Sequence, residues 1–89
     1  MNLLNIFKKQ SPKVKDIKSG RCGHLRFLEE NRYADTYYEL SGVPEFDLLV
    51  WVKDLKQWSN GNPITEEEKI IIFSALQEWA NKKNVKCEW

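Results

Sequence analysis

Few residues in this 89-residue chain are able to carry reaction chemistry, and their spacing brings none of them together. His24 is the single histidine, so any Ser-His-Asp or Cys-His arrangement would have to use it. It stands at the start of an alternating segment, beside an irregular arm, where a solvated imidazole is expected. Cys22 and Cys87 are 65 positions apart and form no CxxC pair, so no thiolate metal cage is present. Glu66, Glu67 and Glu68 are consecutive. On a helix they diverge by about 100° each and fan outward, which fails to converge on a cation. No GxxxxGK[ST] or GxGxxG cradles a phosphate. The expectation is a protein with no catalytic residues, no metal and no cofactor, which is not an enzyme.

The elements that would position a site are easier to read. Residues 1–23 carry six basic side chains and one acidic, whereas residues 24–89 carry eight and twelve. The chain thus divides into a basic N-terminal arm (1–23), broken by Ser11-Pro12 and ending at Gly20-Arg21-Cys22-Gly23, and an acidic body (24–89). A helical turn fits residues 2–9. In the body, His24–Glu29 alternates with Leu25 and Phe27 on one face, and Glu30-Asn31-Arg32 reads as a turn. Tyr33–Leu40 follows as a Tyr- and Thr-rich strand, and Phe46–Val52 as a strand apolar on both sides and therefore central. Trp58-Ser59-Asn60-Gly61-Asn62-Pro63 is a loop signal. Thr65 and Glu68 make a capping box for a helix over 66–82, with Ile72, Phe73, Leu76, Trp79 and Ala80 at helical spacing. Asn84 ends it, and Val85–Trp89 returns as a last strand.

This order predicts an α+β fold, a four-stranded, mostly antiparallel β-β-β-α-β sheet packed on one long helix. One helix covers one face of such a sheet. The other face carries the odd-numbered residues of the second and third strands: Tyr33, Asp35, Tyr37 and Glu39 with Asp47, Leu49 and Trp51. Rings interleaved with carboxylates suit a surface that binds a basic protein partner, so Asp35, Tyr37, Glu39, Asp47 and Trp51 are the candidate contact residues. Alternatively Leu3, Leu4, Ile6 and Phe7 fold back over this face and make Leu49 and Trp51 core. Trp58 reads either as an interface anchor or as a plug at the end of the core.

Other surfaces are less specific. The lysines of the arm lack interleaved aromatics, which gives a second reading: a small nucleic-acid-associated protein acting through residues 1–23. A third is an enzyme of unfamiliar type with a deep pocket. No apolar run is long enough to span a membrane. Leu3, Leu4, Ile6 and Phe7 precede their lysines, the reverse of an export signal, so a cytoplasmic location with free thiols is expected. A Cys22–Cys87 disulfide requires the arm to lie beside the last strand.

The stretch from Glu45 to Leu76, which contains FDLLVWVKDLKQWSNGNPITEEEKIIIFSAL, resembles the core of small immunity proteins of bacterial toxin–immunity systems. Trp58, Pro63, Ile64, Thr65, Glu68, Lys69 and Ile72 carry the likeness over about a third of the chain. It implies a bacterial cytoplasmic inhibitor, of the kind found in contact-dependent growth inhibition, that binds a cognate toxin and blocks its active site or substrate access. Such toxins are often basic nucleases. The resemblance assigns no contact residue.

Overall fold

The computed structural model describes residues 13–89. Five strands form one sheet in sequence order: β1 (Lys13–Ser19), β2 (Cys22–Leu28), β3 (Tyr33–Leu40), β4 (Leu48–Val50) and β5 (Cys87–Glu88). The first three junctions are antiparallel and β4–β5 is parallel, because the long helix α1 (Glu66–Lys83) carries the chain across one face between them. The fold is the expected α+β class, with one more strand than expected.

That extra strand comes from the segment assigned to the basic arm. Residues 13–23 form β1, its turn and the start of β2, so the arm does not extend to Gly23. The expected turn over 2–9 and the fold-back of Leu3, Leu4, Ile6 and Phe7 lie outside the described residues. β1 escapes pattern reading because its two apolar residues, Val14 and Ile17, are three apart and therefore point to opposite faces. Ser19 and Cys22 close a two-residue turn with Gly20 at φ +67°, the arrangement that tightens a hairpin. The Gly-rich break is a hairpin turn.

The core lies between α1 and the sheet face made by the even-numbered residues of β1, β3 and β4 and the odd-numbered residues of β2 and β5. Leu25, Phe27, Ala34, Thr36, Tyr38, Leu48 and Val50 meet Ile72, Leu76 and Ala80, with Leu55, Trp58 and Ile64 closing one end. Gly23 is needed here: a Cβ would run into the Ile17 carbonyl oxygen and stand 2.8 Å from the Tyr38 ring. Tyr38 lies over that glycine and its hydroxyl donates to Asp16 Oδ1 at 2.5 Å.

The helix begins and ends where its caps dictate. Thr65 Oγ1 accepts from the Glu68 amide at 3.1 Å and Glu68 Oε1 accepts from the Thr65 amide at 2.9 Å. Asn84 at φ 57° takes the left-handed C-cap, and the Val85 amide returns to the Ala80 carbonyl. β4 is shorter than the expected Phe46–Val52, since Trp51 leaves the extended region and Val52–Asp54 winds into a 3-10 turn. β5 likewise keeps only Cys87 and Glu88 of the expected Val85–Trp89. β4 nevertheless has a strand on each side.

Trp58 is the plug. It is 3% exposed, packs 6.0 Å from the Phe27 ring, and donates Nε1 to Glu68 Oε1 at 3.2 Å. The Arg32 guanidinium covers its other face at 3.7 Å and bonds both Glu29 and Glu68. One carboxylate thereby caps α1, anchors the plug and fixes the β2–β3 turn. The Thr65 amide above all, then Trp58 and Arg32, hold Glu68 well below the usual carboxylate range, at about 2.

A candidate protein-binding face

Because side chains alternate along each strand, the face turned away from α1 is set by register. Four cross-strand rows follow from the pairing. Lys13, Leu28 and Tyr33 form the first; Lys15, Arg26 and Asp35 the second. Ile17, His24 and Tyr37 form the third, extended by Trp51, whose amide donates to the Tyr37 carbonyl at 2.8 Å. Ser19, Cys22, Glu39, Leu49 and Glu88 form the fourth.

The third row is apolar and largely aromatic. His24 meets the Tyr37 ring edge-on at 5.8 Å, and Tyr37 meets Trp51 at 5.4 Å and 60°. Ile17 and Trp51 are both 38% exposed. Large rings held at a sheet surface, uncovered by any described residue, are unusual outside binding sites. His24 is exposed, as expected, but it lies within β2, not at a strand end, and is part of this row.

The polar residues around it are tied down. Arg26 makes a bidentate pair with Asp35 at 2.7 and 2.9 Å and lies over the Tyr33 ring at 3.8 Å. Tyr37 donates its hydroxyl to Glu39 Oε2 at 2.8 Å; that carboxylate, then burial, pushes the phenol up to about 12. Neither ring needs a new rotamer to present its contact surface, which lowers the entropic cost of binding.

The expected residues differ in how firmly they are held. Tyr37, Glu39 and Trp51 stand together. Asp35 is on the same face with its charge matched by Arg26. Asp47 is exposed just before β4, and its Oδ2 accepts from the Lys86 amide at 2.8 Å, which locks β5 against β4. Ile17, Lys15, His24 and Arg26 also belong to this face. His24 and Arg26 were within reach of sequence reasoning, since they mirror Tyr37 and Asp35 across the 30–31 turn.

Elsewhere, an open groove of about 540 Å³ runs between the C-terminal end of α1 and β5, lined by Phe46, Gln77, Asn81, Val85, Cys87 and Trp89 among others. Burial, with Asp47 adding, pushes the Cys87 thiol up to about 11, so it stays protonated at neutral pH. Cys22 and Cys87 are free. They point to opposite faces, with β3 and β4 between their strands, which separates them by roughly 14 Å, too far to bond. Among the described residues no helix is long and apolar enough to cross a membrane, and no group of three potential ligands is placed to hold a metal. The chain matches no family model, no curated protein and no solved structure.

Proposed function

We propose that this chain is a protein-binding inhibitor, an immunity protein that neutralises a cognate toxin by covering its active site or the approach to it. The observation that carries the reading is the Ile17–His24–Tyr37–Trp51 row, an ordered aromatic strip on the sheet face opposite α1. Tyr and Trp at the centre of a contact supply most of its energy, and the charged rows to either side provide a polar rim. The likeness of residues 45–76 to small immunity proteins supplies the class of partner. Glu39 and Glu88 on the fourth row favour a partner with basic groups on that side.

The test is capture from the source cells with tagged wild type and with Trp51→Ala. A stoichiometric partner held by wild type, released by the variant, and losing its toxic activity when bound establishes the reading. A partner held equally by both removes this face from the reading.

One observation favours a second reading, nucleic-acid association. β1 brings Lys13 and Lys15 onto the same face as the rings. Binding of labelled single strands that falls steeply with salt, and that Lys15→Glu weakens, would support it.

A further inference from the structure

The open face carries a charge pattern as well as an aromatic strip. Lys13 and Lys15 occupy one corner, on β1 at the first two rows. Glu39 and Glu88 occupy the diagonally opposite corner, on β3 and β5 at the fourth row. Arg26 and Asp35 cancel each other between them. The face is therefore neutral in sum and polarised along its diagonal, with His24 and Tyr37 near the midpoint.

We infer that this face pairs with a second copy of the same chain. A two-fold axis lying in the plane of the face, passing near His24 and Tyr37 and running across the polarised diagonal, exchanges the two corners. Each basic corner then meets the partner's acidic corner, and the aromatic strips cross at the centre. Because that axis is oblique to the strands, the two sheets stack near perpendicular, one of the two arrangements sheets adopt face to face. Any isologous contact must be self-complementary, and a neutral face divided into opposite corners meets that requirement by construction. A polyanion does not fit as well, since Glu39 and Glu88 would meet its phosphates.

The size of the face sets the strength. β1, β2 and β3 run seven or eight residues and the short β4 and β5 extend the face at one end, so strands about 4.8 Å apart with a rise of about 3.3 Å per residue give a footprint of at most roughly 20 by 20 Å. Two such faces remove at most about 800 Å² from solvent, the range of weak, concentration-dependent contacts. The dimer is thus a resting form that dissociates on dilution, and it covers the surface assigned above to a toxin. The inference rests on that same surface being open but on nothing about the other partner.

Sedimentation equilibrium of the full 89-residue chain at low salt, from about 10 μM to 1 mM, tests it. The expected result is a rise from monomer toward twice that mass. Reversing the basic corner (Lys13→Glu with Lys15→Glu) or the acidic corner (Glu39→Lys with Glu88→Lys) weakens association about tenfold or more, and the variant carrying all four changes returns to within a few-fold of wild type, because its reversed corners again meet opposites. All four positions are exposed, and circular dichroism checks that the fold is kept. A monomer at 1 mM overturns the inference, including one that dimerises only after residues 1–12 are deleted, since that segment would then be the occupant. So does a dimer in which the fourfold variant is as weak as the two corner reversals combined. Toxin capture is read from dilute lysate, so either result leaves the function test standing on its own.

Discussion

The Tyr38 hydroxyl crosses Gly23 to bond Asp16 two strands away, and this contact fixes β1 to the sheet from the inner side. Asp16 occupies a position where an apolar residue would ordinarily point to the core. Its carboxylate accepts from Tyr38 through one oxygen and from Lys18 through the other at 2.7 Å. The relationship needs a residue without a side chain at position 23. Gly23→Ala therefore destabilises the fold by about 3 kcal/mol, and Tyr38→Phe by about 1 kcal/mol, measured by urea denaturation.

Alkali reads the same contact. Burial, then the bond to Asp16, pushes the Tyr38 phenol up to about 12 from its ordinary 10. A raised folded value means that the stabilisation is fully present below pH 10 and is lost as pH rises toward 12. The urea midpoint should fall over that window in wild type and fall less in Tyr38→Phe.

Acid reads Glu68. Its folded value near 2, against an ordinary 4.5, gives stability that is present above pH 4.5 and lost as pH falls toward 2. Glu68→Gln should flatten that part of the stability profile and lower the plateau above it. An unchanged acid limb would show that the Thr65, Trp58 and Arg32 contacts do not act through this carboxylate.

Thr36 is fully buried beneath α1, and its hydroxyl has no hydrogen-bond partner. Valine has nearly the same shape, and β-branching suits the strand. Thr36→Val should raise stability by about 1 kcal/mol, which for a domain of this size lifts Tm by about 5 °C. Calorimetry checks this directly.

Arg26 and Asp35 retain about a third of their side-chain exposure, so their ion pair contributes modestly. A double-mutant cycle with Arg26→Gln and Asp35→Asn should give a coupling of about 0.5–1 kcal/mol. Asp35→Lys is a poorer probe of partner charge than Glu39→Lys, because it places a cation opposite Arg26 and disturbs the face itself.

Trp51→Ala should weaken partner binding by about 2 kcal/mol or more while changing folding stability by less than about 1 kcal/mol, since the ring packs on Tyr37 at the surface. Titration calorimetry with the purified partner, beside urea denaturation of the free variant, separates the two effects.

Much of this protein was determined by local sequence. The capping box at Thr65 and Glu68, the apolar stripe of α1 and the left-handed stop at Asn84 are short-range interactions, complete within a few residues. The β2–β3 hairpin is similarly local: alternation along β3 put Tyr37 and Asp35 on one face, and the hairpin set His24 and Arg26 opposite them. Tertiary structure decided the rest. Val14 and Ile17 follow no strand alternation, and β1 exists because β2 offers an edge and Tyr38 satisfies Asp16. The bond from the Lys86 amide to Asp47 depended on where β5 returned after an 18-residue helix, which no local pattern encodes. The polarised face belongs to the same class: its corners come from strands that are far apart in sequence and meet only through the register of the whole sheet.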